Sequence, residues 1–320
     1  MQFAVASCMR NEALFLLEWI AHQRQLGFDL IIVATNDCTD GTDIICSQIS
    51  KVDPSFVHIE NSVQLGESPQ LNGMKRVLSL PLMADIDYLL HCDSDEFLNI
   101  SCGTGTLPEM IDASGASDCV ALAWRYFGDA GIKRWPGGLV TENCTKSAGR
   151  LRPGAIMHKS MFKPSKFRSS IDHMPKDPVS KDVILTNTRG EVLNNGSLFR
   201  KNKARFRGVT NAQFTWENAC IHHYAIRSED IFLMKNLRGD GMGNENERYY
   251  LNSKFWRRSN TNRTENARPP AYLADLKKKI DVLRAIGTVG EIEQQAQVDF
   301  VKRRDEYLTP AQIEKLTLKI

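Results

Sequence analysis

The chain holds no apolar run near the roughly 20 residues that cross a bilayer, so no membrane-spanning helix is expected. Its opening residues, Met1-Gln2-Phe3-Ala4-Val5-Ala6-Ser7, carry no basic segment, which sets aside a secretory signal. The eight cysteines (8, 38, 46, 92, 102, 119, 144 and 220) are scattered and never form C-x-x-C. Neither a zinc site nor a disulfide framework is expected, and reduced cytoplasmic thiols are. There is no internal repeat and no low-complexity linker. Residues 6–12 contain no glycine, so the early glycine-rich phosphate loop of a nucleotidyltransferase is missing.

What is present is the make-up of a soluble globular protein, with 320 residues, 42% hydrophobic and 25% charged. That length builds one large domain or two ordinary ones. The formal net charge of +3 hides an asymmetry. Residues 1–100 hold 5 Lys/Arg against 14 Asp/Glu, whereas residues 146–210 hold 15 against 4. A stretch that basic is either a solvated surface or a holder of phosphates, of an anionic acceptor or of an anionic membrane face. The whole chain is not basic enough to make nucleic acid the expected partner.

Strand and helix patterns alternate along the first third. An apolar run at 2–8 is followed by a helical pattern (Leu14, Leu17, Ile20, Ala21) that stops at Gly27. Leu30–Ala34 is a continuous apolar run, as expected of a parallel strand buried on both faces. The turn-rich loop 35–42 leads into a helix at 42–51, and Phe56–Ile59 is a third strand. Residues 70–80 read as a helix, Tyr88–Cys92 as a fourth strand and Val120–Gly128 as another. The basic segment contributes short extended runs at 156–162 and 183–186, and 228–237 reads as helical. Gly239-Asp240-Gly241-Met242-Gly243-Asn244 reads as a flexible loop. Leu273, Leu276, Ile280, Leu283 and Ile286 mark a helix, and 291–306 a second, highly charged one. The expected fold class is α/β, an open and mostly parallel sheet flanked by helices, with a helical C-terminal extension.

Ligands of such sheets bind outside the carboxyl ends of the strands. Arg10–Glu12, Asn36–Asp40 and Asp93–Glu96 all fall at such ends. The last group follows the apolar Leu89-Leu90 and places three carboxylates within four residues, Asp93, Asp95 and Glu96. Buried together they repel, so a divalent cation is the expected partner, with Mg²⁺ or Mn²⁺ suited to carboxylate oxygens. In an extended chain alternate residues point the same way, which turns Asp93 and Asp95 toward one ligand.

Together these motifs resemble the family 2-like bacterial glycosyltransferases, the D-x-D-containing group of GT-A fold. The likeness rests on Arg10-Asn11-Glu12, Glu18-Trp19-Ile20, Asn36–Thr42 and Asp93–Phe97. It continues in Trp124–Gly128, Gly137–Glu142 and His222–Ser228, and so covers about residues 1–245. It implies a catalytic domain at 1–245, with 1–100 binding a nucleotide-sugar and 101–245 the acceptor, and a helical extension at 246–320. It further implies that Asp93 and Asp95 meet the ribose and the metal-diphosphate, and that His223, beside His222, completes the metal shell. Asp37 matches the acid that holds the donor base, although Asn36 stands where a second acid is commoner. Arg10, Asn11 and Glu12 would line the nucleotide pocket, and Lys75 or Arg76 would reach a phosphate. The competing reading of Asn11 and Glu12 is a helix-capping pair.

Glycosyl transfer requires stabilisation of the leaving diphosphate and deprotonation of the acceptor hydroxyl. The resemblance implies single displacement with inversion. Glu142 is the first candidate for the general base, with Asp129 and Asp172 as rivals. Trp124, Phe127 and Gly128 are candidates to meet the acceptor sugar, although strand aromatics also pack in cores. The implied setting is polysaccharide assembly at the inner face of the membrane, on a glycan or lipid-linked acceptor. There the basic segment, including Lys201, Lys203, Arg205 and Arg207, would approach anionic lipid. The alternatives are a nucleotidyltransferase and a degenerate GT-A-like binding protein or scaffold.

Overall fold

The computed structural model describes all residues except 65, 152–156, 202–203, 238–247 and 318–320. The glycine-rich loop at 239–244, Lys203 and the start of the run at 156 therefore lie outside the described residues. In chain order the elements are β1 (Phe3–Met9), α1 (Ala13–Leu26), β2 (Leu30–Thr35), α2 (Thr42–Val52), β3 (Phe56–Glu60), α3 (Pro69–Leu78), β4 (Tyr88–His91) and β5 (Glu96–Ile100). Then come α4 (Leu107–Ala113), β6 (Cys119–Tyr126), α5 (Val140–Asn143), β7 (Lys146–Ser147), β8 (His158–Phe162), β9 (Phe167–Ile171), β10 (Met174–Pro178) and β11 (Leu185–Asn187). The last are β12 (Ala219–His223), α6 (Glu229–Met234), α7 (Lys254–Ser259), β13 (Thr264–Glu265), α8 (Pro270–Arg284), α9 (Val289–Tyr307) and α10 (Pro310–Lys315).

The main sheet runs β3-β2-β1-β4-β8-β6-β12-β5, with β11 paired to β6. Strands β3, β2, β1 and β4 are parallel, as are β6 with β12 and β11. Two strands run the other way, β8 between β4 and β6, and β5 against β12. The fold is thus a mixed α/β sheet, large and mostly parallel, flanked by helices and followed by a helical C-terminal region. The two reversed strands carry functional geometry. Reversed β8 brings its first residues beside the carboxyl end of β4. Reversed β5 sets Glu96 opposite His223.

Every residue of β2 is buried, which explains the unbroken apolar run Leu30–Ala34 within it. Helix α1 ends where the pattern stops, with Gly27 in the left-handed region at φ 86°. Its buried face packs with α8 and α9 in one apolar cluster that includes Trp19, Leu276, Ile280, Leu283, Ala296 and Phe300. The C-terminal helices are therefore built onto the same core as β1 and α1. No helix among the described residues is long and apolar enough to cross a membrane.

Candidate active site

The D-x-D segment does not continue the strand. After His91 the chain turns, with Glu96 N–H donating to Asp93 C=O at 3.0 Å. The alternation expected of an extended chain is lost there, and Asp93 and Asp95 face different partners.

Asp93 belongs to a cluster built on β8. Lys159 of β8 is 0% exposed, and its Nζ lies 3.0 Å from Asp93 Oδ2, 3.0 Å from Asp172 Oδ1 and 3.4 Å from Glu96 Oε2. Gln70, at the start of α3, donates Nε2 to Asp93 Oδ1 and Asp172 Oδ1 at 3.0 and 3.1 Å. His173 Nε2 stands 3.0 Å from Asp172 Oδ2, and its Nδ1 is 2.9 Å from the His158 carbonyl. His173 thus has an oxygen beside each ring nitrogen. Burial pushes the Asp93 carboxyl up despite Lys159, and pushes Glu96 well above its ordinary range. Burial opposes ionisation of Asp172 too, but Lys159 and His173 hold it well below the ordinary range. Burial disfavours the Lys159 ammonium, yet Asp172, Asp93 and Glu96 raise its pKa well above the usual value. Asp93 and Asp172 remain about a quarter exposed, 27% and 26%, so a ligand can reach both.

Asp95 looks the other way. Its Oδ2 accepts from Lys235 Nζ at 3.1 Å, and its Oδ1 faces His223 Nε2 at 3.5 Å. Burial works against its charge, but Lys235 and His223 together keep its carboxyl well below the usual carboxylate range. Trp124 stands between the two groups, its ring centroid 4.1 Å from that of His223 and 5.2 Å from that of His173.

Lys235 also lines a cavity of about 340 Å³ with Arg10, Asn11, Glu12, Arg227 and, from α9, Arg303. Here the strand-end loops are tied together. Asp40 accepts from the Ala13 and Thr42 N–H groups, and Thr42 Oγ1 accepts from Glu12 N–H. Asn11 Oδ1 accepts from Thr39 N–H at 2.8 Å. Glu12 occupies the position before α1, but its side chain makes no capping bond and is directed to Arg227 instead. Arg227 is 1% exposed, sits over the Phe15 ring and donates to Ser94 C=O at 3.1 Å. Asn11, Asp37 and Arg227 adopt left-handed backbone conformations at φ 56°, 46° and 62°. For non-glycine residues these are costly and cluster at functional sites. Asp37 is exposed and belongs to a separate cavity of about 450 Å³ at the ends of β2 and β3.

The remaining sequence candidates fall elsewhere. Glu142 is exposed on α5 and pairs with Lys277 of α8 at 2.8 Å. Asp129 is buried and satisfied, accepting from the Gly131 N–H and the side chains of Asn260 and Asn262. Gly128 lies against those same two asparagines, where a Cβ would overlap both Oδ1 atoms. Phe127 packs on His222 and Tyr224 in the core. Lys75 and Arg76 are exposed on α3, and Arg76 caps the Glu60 and Ser62 carbonyls. Of the three candidate bases, Asp172 alone is brought to Asp93.

Sequence reasoning missed Lys159, Gln70, His91, His173, Arg227 and Lys235. A signal existed for Lys159, a charged residue inside a run otherwise fit for a buried strand. The Asp172-His173 dipeptide was a second signal.

Two sets of ligands can be weighed for a divalent cation. His91, Asp93 and Asp172 offer atoms within 4.8 Å of one another. In that set both oxygens of each carboxylate already accept from Lys159, Gln70 or His173. At the other set, Asp95 Oδ1 has only His223 Nε2 at 3.5 Å among the described residues, and the His223 Nδ1 is buried without a hydrogen bond. A carboxylate oxygen facing an imidazole nitrogen is an acceptable pair for Mn²⁺. The Asp95–His223 pair fits a cation better.

No protein-family model matches the chain, and no curated protein matches it. Several solved structures are similar to part of the chain. One is 4-diphosphocytidyl-2C-methyl-D-erythritol synthase, 16% identical over 52% of this chain and 78% of that one, with a TM-score of 0.33. HddC from Yersinia pseudotuberculosis is 11% identical over 61% and 94%, with a TM-score of 0.33. The mannosyltransferase PcManGT from Pyrobaculum calidifontis, in complex with GDP-Man and Mn²⁺, is 15% identical over 51% and 44%, with a TM-score of 0.30.

Proposed function

We propose that this chain is a glycosyltransferase that moves a sugar from a nucleotide-sugar to a hydroxyl of a glycan or lipid-linked acceptor. One observation carries the reading. The Asp93–Asp95 turn lies between a cavity lined by Arg10, Arg227, Lys235 and Arg303 and a separate, partly exposed carboxylate, Asp172. That arrangement supplies cations for a diphosphate on one side and a proton acceptor on the other.

A divalent ion held by Asp95 and His223 would supply further charge stabilisation to the leaving diphosphate when bound. Arg227 and Lys235 are buried and fixed by Glu12, Ser94 and Asp95, so they need no reorganisation to meet developing charge. Asp172 is our choice of general base. Lys159 and His173 keep it ionised, and single displacement with inversion needs one such carboxylate near the acceptor hydroxyl. Trp124 supplies an aromatic wall between donor and acceptor sides. We take 1–245 as the catalytic unit and 246–320 as an extension whose α9 completes the cavity wall. The exposed Lys201, Arg205 and Arg207 are suited to an anionic membrane face. Charge reversal at these three positions is expected to reduce binding to anionic vesicles.

The test is a thermal-shift screen of nucleoside diphosphates, nucleotide-sugars and nucleoside triphosphates, with and without Mn²⁺, on wild type and Asp95→Ala. Ligands that bind the folded state raise Tm by mass action. One base should stabilise the wild type in a metal-dependent manner and fail to stabilise the variant. No shift with any nucleotide defeats the proposal. Pyrophosphate release from a triphosphate would replace it with nucleotidyl transfer.

A further inference from the structure

We infer that Lys159 is a tethered cation that keeps a divalent ion out of the His91–Asp93–Asp172 set and so confines metal binding to Asp95 and His223. The inference deepens the proposed donor site, but its test uses Mn²⁺ alone. Failure here therefore leaves the transferase reading standing.

Three observations lead to it. The first is the completeness of the ligand set. His91, Asp93 and Asp172 bring an imidazole and two carboxylates within 4.8 Å, the donor chemistry that binds Mn²⁺. His91 is 3% exposed, and neither ring nitrogen makes a hydrogen bond of normal geometry. Its Nε2 lies 4.0 Å from Asp93 Oδ1, which sets a ring nitrogen beside the two carboxylates.

The second is where the ammonium sits. Lys159 Nζ lies 3.0 Å from one oxygen of each aspartate and 2.9 Å from the Asp172 carbonyl. A cation at that point already has the oxygen neighbours a metal would need. The ammonium is delivered by the fold, because reversed β8 runs beside β4 and its side chain is fully buried. Expelling it would leave a buried lysine without carboxylate partners, which opposes its displacement by a metal.

The third is the contrast with Asp95. Lys235 takes its Oδ2 and leaves Oδ1 to His223 across 3.5 Å. The two aspartates of one D-x-D thus face two lysines, and only one keeps an oxygen open to an ion.

The experiment is Mn²⁺ binding to the full chain without nucleotide, read as stoichiometry by electron paramagnetic resonance and calorimetry. Wild type should bind a single ion, which Asp95→Asn abolishes and His91→Gln leaves unchanged. Lys159→Met should gain an additional ion, and His91→Gln in that background should remove it. Lys159→Arg keeps a cation in place and should not gain the ion, which separates charge from mere packing. Loss of the wild-type ion in His91→Gln overturns the inference, as does a folded Lys159→Met that gains nothing. Should Lys159→Met fail to fold, His91→Gln and Asp95→Asn in the wild-type background still decide which pair holds the ion.

Discussion

Arg227 Nη1 lies 3.4 Å from Glu12 Oε2, joining the loop between β1 and α1 to the segment that follows β12. Both side chains are almost fully buried, at 2% and 5% exposure. Removing one partner of such a pair leaves an uncompensated charge, which costs about 3–5 kcal/mol. Arg227→Met is therefore expected to lower stability by that order in urea titrations. Arg227 also donates to Ser94 C=O inside the D-x-D turn. The folded fraction of the variant should accordingly bind nucleotide more weakly in the thermal-shift screen.

Asp172 and Glu142 make opposite predictions. Asp172→Asn should lower kcat by about 10²–10⁴, the range typical of a lost general base, and should also lower Tm, because Asp172 is one of the carboxylates that pair the buried Lys159. Glu142→Gln removes an exposed ion pair with Lys277, worth about 0–1 kcal/mol. It should leave both kcat and Tm near wild type. The reverse pattern in steady-state transfer assays would move the base to α5.

Gly128→Ala tests the loop after β6. The new methyl would overlap the Oδ1 atoms of Asn260 and Asn262, the groups that also donate to Asp129 through their Nδ2 atoms. Overpacking of this kind costs about 1–3 kcal/mol. A lower urea midpoint is expected. An unchanged midpoint would mean that this loop yields freely.

Lys176 gives a pH signature away from the site. It is 2% exposed on β10, and burial lowers its pKa from 10.5 to about 8. The depressed folded value means that its favourable contribution is present above the unfolded pKa and disappears as pH falls through about 8. At neutral pH the folded state carries the full desolvation cost. Lys176→Met removes this titration, so its stability relative to wild type should be highest near neutrality, less the bond that Lys176 Nζ gives the Ser197 C=O at 2.7 Å. That relative stability should fall between about pH 8 and the unfolded value, measured by urea denaturation at several pH values.

Much of this architecture was legible in the sequence, for reasons that differ by element. The strands β1 to β4 and the helices between them are marked by apolar runs and by local signals such as Gly27. Helix α8 is marked by apolar spacing, and α9 was read as a highly charged helix. The reversed strands were not legible, because direction is set by pairing with distant partners rather than by local pattern. The site divides in the same way. Asp93, Asp95 and Asp172 were found as acids in promising places. Their separation into two groups was not, since it depends on a turn replacing extended chain after His91 and on lysines arriving from β8 and from beyond β12. Glu142 and Asp129 show the converse, acids near the right loops whose partners Lys277, Asn260 and Asn262 come from far along the chain.

The α9 wall of the Arg10–Lys235 cavity has a consequence for how the molecule is made. Ala296, Phe300 and Arg303 close a space whose floor is laid down by residues 10–15. On the ribosome the sheet can pair long before that wall exists, because synthesis proceeds from the N-terminus at about 5–20 residues per second. Until α8 and α9 have been made, the nascent chain exposes the apolar face of α1 that they later cover. That interval is when the chain is most open to aggregation. Nucleotide should fail to rescue folding until the final helices emerge.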